Sequence, residues 1–149
     1  MTVVTDAIGK RYEPLTYAVG REKIVEYALA TGETDPLYLD VAAARAAGHA
    51  DVVAPPMFAV VYAGRAMSAP LFDPDVGLDF AHMVHGAQEF RWGPLVIAGD
   101  EIETTATVKE ISERGGLGFF VFETVSVNQL GETVCTGAWT NIVRGSGGV

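Results

Sequence analysis

The spacing of hydrophobic residues changes along the chain, from a helical repeat in the first half to alternation in the second. Between Arg21 and Thr31 the apolar and small residues recur at helical spacing, with Gly20 before the segment and Gly32 after it, which predicts a helix. The residues on one face of this helix are Ile24, Tyr27, Ala28 and Thr31. A second, short helix is predicted over residues 41–47, a stretch that is mostly alanine and ends at Gly48.

Residues 57–67 are apolar nearly all round, which predicts a helix that is buried on most sides. Pro56 suits the first turn of such a helix, and Pro70 closes it. This segment belongs to the richest apolar run of the chain and is expected to be a core element.

Beyond Leu78 the hydrophobic period becomes two. Small or apolar residues alternate with polar ones from Glu101 to Lys109, which predicts a strand with one solvent-exposed face. Further strands are predicted at residues 12–19, 82–92, 119–128 and 133–143. The order of elements predicts an α+β fold, in which a curved antiparallel sheet wraps around the long central helix.

Length and composition predict one domain over residues 1–144, followed by a flexible glycine-rich tail at 145–149. With 149 residues, of which 49% are hydrophobic, the chain can bury a core without disulfides or metals. The lone Cys135 suits a reducing compartment, and neither a signal peptide nor an apolar run of about 20 residues is present. A cytoplasmic location is therefore expected.

The formal net charge of −9 repels phosphate backbones and anionic membrane surfaces, so neither nucleic acid nor membrane is an expected partner. No metal-ligand cluster accompanies Cys135. The glycine-rich pieces do not follow a strand and open a helix as a phosphate-binding loop requires, so no cofactor is expected.

Several fragments, taken in their order and spacing, resemble the MaoC-like hydratase and dehydratase family. They are residues 31–40 (TGETDPLYLD), 42–48 (AAARAAG), 53–58 (VAPPMF), 85–90 (HGAQEF) and 94–100 (PLVIAGD). The resemblance implies a hot-dog fold, an acyl-ACP or acyl-CoA thioester as ligand, and a second hot-dog chain as partner in a homodimer or heterodimer. The pattern is most similar to the non-catalytic subunit of heterodimeric (3R)-hydroxyacyl-ACP dehydratases, whose partner subunit holds the acid/base pair.

Within residues 31–40, the family pattern places an Asp where Glu33 stands and a His where Tyr38 stands. Such a pair can remove the proton beside the thioester carbonyl and protonate the leaving hydroxyl. Glu33 displaces the carboxylate by about one methylene, and a phenol with an ordinary pKa near 10 is a poor base. Glu33 and Tyr38 are thus the candidate catalytic residues, both substituted, and a solvated turn residue and a packed tyrosine explain them as well.

Catalytic family members also use a glycine amide at the start of the central helix to bind the thioester oxygen. Pro56 occupies this place and has no N–H group, which leaves the amides of Met57 and Phe58. Along the helix, the candidate acyl-chain ligands are Met57, Phe58, Val61 and Tyr62. A packed core explains the same four residues.

His85 is a further candidate for substrate binding or partner contact, although a hydrogen-bonded structural histidine is the more common explanation of such a position. On a regular strand it shares a face with Met83, Ala87, Glu89 and Arg91, and the opposite face carries Gln88 and Phe90. Asp35 and Asp40 are expected to cap the turns of the loop.

Three functional hypotheses follow. The first is a subunit of a (3R)-hydroxyacyl thioester dehydratase, or of the reverse enoyl hydratase, that binds the acyl chain and works with a catalytic partner. The second is a self-sufficient homodimeric hydratase or a thioesterase that uses Glu33 and Tyr38. The third is an acyl-binding module without turnover.

Overall fold

The structure, a computed structural model, describes residues 2–145. Five strands form one antiparallel sheet in the order β1-β3-β4-β5-β2. The strands are β1 (Leu15–Ala18), β2 (Met83–Trp92), β3 (Glu101–Arg114), β4 (Leu117–Val127) and β5 (Thr133–Arg144). The helices are α1 (Arg21–Ala30), α2 (Pro36–Leu39), α3 (Val41–Ala46), α4 (Ala59–Tyr62) and α5 (Ser68–Leu71). The predicted α+β class is confirmed.

The first predicted strand is shorter than expected. Its regular part begins at Leu15, because Pro14 has no N–H group to donate to a neighbouring strand. The residues before Pro14 still follow β3: the Tyr12 amide donates to the Ala106 carbonyl at 3.0 Å, and Lys10 accepts from the Val108 amide at 2.9 Å. The chain therefore adds two separate stretches to the edge of β3.

One face of the sheet packs against a central helical segment, residues 56–71, and forms the core. Along β4 every second residue is buried, which explains the alternation in the sequence. Buried residues form two clusters. The first is centred on Phe58, Tyr62, Ile102 and Val134, and the second on Val108, Phe120, Phe122 and Val143.

The central segment is helical, as predicted, but it is not one continuous α-helix. Two 3₁₀ helices, Pro56–Phe58 and Gly64–Met67, alternate with α4 and α5. Gly64 is unfavourable within a helix, and the indole of Trp139 lies within 3.7 Å of where its Cβ would stand. Pro70, expected to end the helix, lies inside α5. The segment therefore runs to Leu71 as a series of short turns.

The predicted face of His85 is wrong, because β2 contains a bulge. The register with β5 shifts between His85 and Ala87, so that Gly86 is the extra residue. His85 pairs with the buried Asn141, and Gln88 pairs with Trp139 on the same inner face. His85 thus shares the helix-facing side of the sheet with Gln88 and Phe90, whereas Ala87, Glu89 and Arg91 face the other way.

The expected flexible tail, 145–149, lies outside the described residues except for Gly145. Among residues 2–145, no helix combines the length and the apolar composition that crossing a membrane requires.

Candidate functional site

The loop that carries the two candidate catalytic residues joins α1 to α2 and is fixed by local hydrogen bonds. The Glu33 amide donates to the Ala28 carbonyl at 2.9 Å, so the chain turns directly off the end of α1. Asp35 accepts from the Leu37 amide and Asp40 from the Ala42 amide, both at 2.9 Å. Both aspartates are N-caps, as the sequence predicted.

Two further contacts hold this loop against the rest of the fold. The Val53 amide donates to the Leu37 carbonyl at 2.9 Å, which ties α2 to the segment before the central helix. At the other end of α1, the Arg21 guanidinium makes two hydrogen bonds to Asp51, at 2.9 and 2.7 Å. These bonds hold the pKa of the Asp51 carboxyl at about 2. The loop is therefore anchored on both sides.

Glu33 lies among phenols rather than beside an imidazole. Burial raises the pKa of Tyr38, and the nearby carboxylates of Glu33 and Asp35 raise it further. Burial and the Glu33 charge likewise raise the pKa of Tyr27, whose ring packs edge-on against Phe58 at 5.4 Å between centroids. At neutral pH both phenols therefore keep their protons, so neither can act as a general base.

The start of the central helix offers few amide donors. Pro55 and Pro56 have no N–H groups, and the Phe58 amide donates to the Pro55 carbonyl at 2.8 Å. Of the two candidate donors, only the Met57 amide is left free for a ligand oxygen. The Pro56 carbonyl accepts a hydrogen bond from the Trp92 indole at 2.8 Å, which places the end of β2 directly beside this helix start.

A small apolar cavity of about 50 Å³ lies beside the same helix start. Its lining residues include Pro56, Tyr62, Trp92, Leu95 and Val134. Ligand pockets in proteins typically measure roughly 300–1,000 Å³. Within residues 2–145, this cavity does not enclose a fatty acyl chain, so an acyl ligand at this place needs a wall from another chain.

The four candidate acyl-chain residues do not share one surface. Phe58 and Tyr62 are fully buried and pack against each other at 6.2 Å between ring centroids. Val61 is partly buried, and Met57 is exposed. Of the four, only Tyr62 borders the cavity. The Tyr62 hydroxyl also contacts the buried Cys135 thiol, and burial raises the pKa of both groups.

His85 lies elsewhere on the inner face of the sheet, at the other end of β2. Its ring stands edge-on to Trp139 at 6.3 Å between centroids. Beside it, Asn141 and Gln88 carry buried amide atoms that have no hydrogen-bond partner among the described residues. The structure does not bring His85 together with Glu33 and Tyr38 within one chain, because β2 runs away from the loop.

Sequence reasoning missed four residues that shape this region: Tyr27, Gln88, Trp92 and Asn141. Tyr27 was expected only as a core residue of α1, and Gln88 was placed on the wrong face because an alternating pattern does not reveal a bulge. The short glycine-containing segment His85-Gly86-Ala87 was the available signal for that bulge. No cluster of side chains suited to a metal ion is found among residues 2–145.

Comparison with known proteins shows which family the chain belongs to. The family described as "FAS1-like, dehydratase domain region" matches residues 6–137. The chain belongs to this hot-dog dehydratase family. Among its relatives, the UPF0336 protein of Clavibacter michiganensis subsp. michiganensis is 46% identical over 129 residues, 87% of either chain.

Two solved structures of dehydratases resemble this chain in fold as well as in sequence. A chain of the C-terminally truncated HadBC complex, a 3R-hydroxyacyl-ACP dehydratase from Mycobacterium tuberculosis, is 27% identical. The match has a TM-score of 0.81 and covers 93% of this dehydratase-family chain and 98% of that one. A MaoC-like dehydratase is 26% identical with a TM-score of 0.83, over 95% of this chain but 43% of the longer neighbour. The hot-dog fold implied by the sequence is confirmed.

Proposed function

We propose that this chain is the acyl-binding, non-catalytic subunit of a heteromeric (3R)-hydroxyacyl thioester dehydratase, or of the reverse enoyl hydratase, in fatty-acid metabolism. A second hot-dog chain in the cytoplasm supplies the acid/base pair, and the acyl group arrives as an ACP or coenzyme A thioester. The HadBC complex, to which this chain is similar, is a dehydratase built from more than one kind of chain.

The observation that carries the proposal is that Glu33 and Tyr38, in the loop between α1 and α2, do not form an acid/base pair. Dehydration removes a proton from the carbon beside the thioester carbonyl and returns a proton to the departing hydroxyl, so that water leaves and a double bond forms. Tyr38 holds its proton at neutral pH, because burial and the neighbouring carboxylates raise its pKa. Glu33 therefore has no basic partner in its own loop.

The same region also lacks a second requirement of the reaction, a set of donors for the enolate-like oxygen. Pro56 cannot donate, and the Phe58 amide is already bonded to Pro55. A single free amide at Met57 supports binding better than it supports transition-state stabilisation, which usually relies on several aligned donors.

An exposed apolar surface beside the cavity supports a partner. β2 lies at the edge of the sheet, so one side of its backbone has no neighbouring strand among residues 2–145. Near its Trp92 end, Met57, Trp92 and Leu95 are about half exposed. A second hot-dog chain that covers this edge would bury those side chains and supply the missing wall of the cavity.

The test is an assay of crotonyl-coenzyme A hydration by this chain alone, and by its complex with a companion chain that carries an intact Asp-x-x-x-x-His. The first companion to try is the product of a neighbouring gene. The complex is expected to turn over, and the chain alone to show no turnover above background. Glu33→Ala and Tyr38→Phe should leave the rate of the complex within about twofold, because neither group transfers a proton.

As a matched control, the companion's own Asp and His are replaced by Asn and Gln, which should abolish turnover. Full turnover by the solitary chain, lost in Glu33→Ala or Tyr38→Phe, would show instead a self-sufficient hydratase. Release of free thiol from acyl-coenzyme A would show a thioesterase.

A further inference from the structure

The inner face of the sheet carries a small polar cluster that the loop chemistry does not explain: His85, Gln88 and Asn141. The bulge at Gly86 turns His85 and Gln88 to this face. The Cβ position of residue 86 lies 2.6 Å from the Ile142 Cδ1, so a larger residue there would have to displace the Ile142 side chain. The bulge therefore places these two side chains on the same face.

Two of the three residues hold buried polar atoms without partners. Asn141 is 3% exposed, and its Nδ2 has no hydrogen-bond partner among the described residues. The Nε2 and Oε1 atoms of Gln88 are also buried and have no hydrogen-bond partner among the described residues. Leaving a buried polar group unbonded costs about 1–3 kcal/mol, so such groups in folded proteins normally serve a partner that is absent when they stand alone.

The chemistry of the cluster favours a neutral ligand that bears oxygen. The unpartnered groups of the two amides are several N–H donors and one carbonyl acceptor. His85 adds an imidazole ring that is exposed to solvent. The charged residues of this part of β2, Glu89 and Arg91, pair with each other on the opposite face. Apart from His85, the inward-facing side chains of β2 and β5 carry no charge, so an ion is a poor ligand here.

The position of the cluster relative to a partner follows from the direction of β2. Within one chain, the Trp92 end of β2 touches Pro56 beside the loop, while His85 lies roughly 20 Å away along the strand. A second hot-dog chain of the same fold that continues the sheet across this edge about a pseudo-two-fold axis, with its helices on the same side, runs antiparallel to β2. The His85 end then lies beside the partner's catalytic loop.

We infer that His85, backed by the amides of Gln88 and Asn141, binds the oxygen-bearing head of the acyl thioester held in the partner's catalytic loop. This inference rests on the proposed function and assigns the binding group to this chain. His85 touches the substrate carbonyl or its 3-hydroxyl. Gln88 and Asn141 lie beside the His85 ring, and their unpartnered N–H groups donate to the ligand oxygen.

The test measures binding rather than turnover, so that it stands apart from the reaction itself. Calorimetry is carried out on the complex whose companion has its catalytic His replaced by Ala, with butanoyl-coenzyme A and with (3R)-3-hydroxybutanoyl-coenzyme A. His85→Ala is expected to weaken binding roughly three- to tenfold, the effect of one neutral hydrogen bond. Weaker binding of both ligands shows that His85 contacts the thioester carbonyl. Weaker binding of the hydroxy ligand alone shows that it contacts the 3-hydroxyl. Free coenzyme A should bind unchanged.

Gln88→Leu separates this role from a structural one. It removes the unpartnered amide at similar volume, so thermal stability of the isolated chain should rise while ligand binding by the complex falls. Glu89→Gln, one residue away on the opposite face, should change neither.

The inference is overturned if the His85→Ala complex binds both acyl ligands with affinities within twofold of the unaltered complex. It is also overturned if the binding of free coenzyme A is weakened as much as that of the acyl ligands. It is also overturned if His85→Ala prevents assembly, which would make His85 an interface residue, or if Gln88→Leu lowers stability. A complex that binds the ligands but shows no hydration in its unaltered form rejects the proposed reaction alone.

Discussion

Glu33 and Tyr38 are the residues on which the proposed non-catalytic role depends. A carboxylate beside an imidazole can pass a proton at neutral pH, whereas the partly buried phenols of Tyr27 and Tyr38 near Glu33 keep their protons because their pKa values are raised. The pKa of Tyr38 is raised first by burial and then by Glu33. The loop that fixes these two side chains, with its caps at Asp35 and Asp40, is nevertheless intact.

At the residue scale, Gly93 is predicted to be irreplaceable. A Cβ at this position would collide with the backbone carbonyl of Thr133, and the hydrogen bond from the Gly93 amide to the Val134 carbonyl holds the two backbones together. Gly93→Ala should therefore lower the free energy of unfolding by on the order of 3 kcal/mol, the upper part of the usual range for overpacking. Urea denaturation measures this change.

The matched control is Gly20→Ala, since nothing lies within 4 Å of a Cβ there and the backbone is extended. Because Gly20 is the N-cap of α1 and alanine is a poorer cap, the change should cost about 1 kcal/mol or less. Equal stability of the two variants would contradict the close approach of β2 and β5 at Gly93.

At the element scale, the N-terminal stretch is held to the sheet edge by a cluster around Asp73. The Lys10 ammonium contacts Asp73 and Asp75 at 2.6 and 2.8 Å, and the Tyr12 hydroxyl donates to Asp73 at 2.7 Å. The hydrogen bonds from Lys10 and then Tyr12 lower the pKa of Asp73 to about 2. Because the folded pKa lies below the ordinary value, this contribution is present above about pH 4 and is lost as the pH falls through about 2.

Asp73→Asn is therefore predicted to release the N-terminal stretch at pH 7 and to have a much smaller effect as the pH falls to about 2. Hydrogen exchange of the Gly9 and Tyr12 amides, which are bonded to Val108 and Ala106, reports the release. The control is Lys23→Met, which removes an exposed ion pair between the Lys23 ammonium and the Glu26 carboxylate, 3.8 Å apart. It should leave these amides protected. Protection that is the same in Asp73→Asn at pH 7 would show that backbone bonds alone hold the stretch.

Most elements of the fold could be predicted from the sequence, because burial on one face of a strand or helix imposes a period. The alternation in β3, β4 and β5 and the glycines around α1 mark those elements directly. Two features could not be predicted. The bulge at Gly86 lies against Ile142 of another strand, and Gly64 in the interrupted central segment lies against Trp139. Both are contacts between distant parts of the chain.

The candidate site was predicted in part for the same reason. The loop caps follow from local residue types, so Asp35 and Asp40 were assigned correctly. The roles of Glu33, Tyr38, Met57, Phe58, Val61, Tyr62 and His85 stay predictions. Their meaning depends on a surface that a second chain completes, and one sequence alone does not describe that surface.

At the scale of the whole molecule, the β2 edge and the small cavity beside Trp92 have one explanation in common. Both end at an exposed apolar surface that includes Leu95, which is 57% exposed. A partner that covers this surface closes the cavity, pairs the edge strand and brings His85 to a second loop. Assembly and substrate binding are then consequences of the same contact.

Titration of this chain into a fixed amount of the companion, with crotonyl-coenzyme A hydration as the readout, tests the central claim most directly. We predict that turnover rises linearly and levels off at one chain per companion. Leu95→Lys should fail to raise it, because a charge would be buried at the interface, whereas Leu130→Lys, at a position 75% exposed on the β4–β5 turn, should behave as the unaltered chain. Full turnover by either chain alone would contradict the division of labour proposed here.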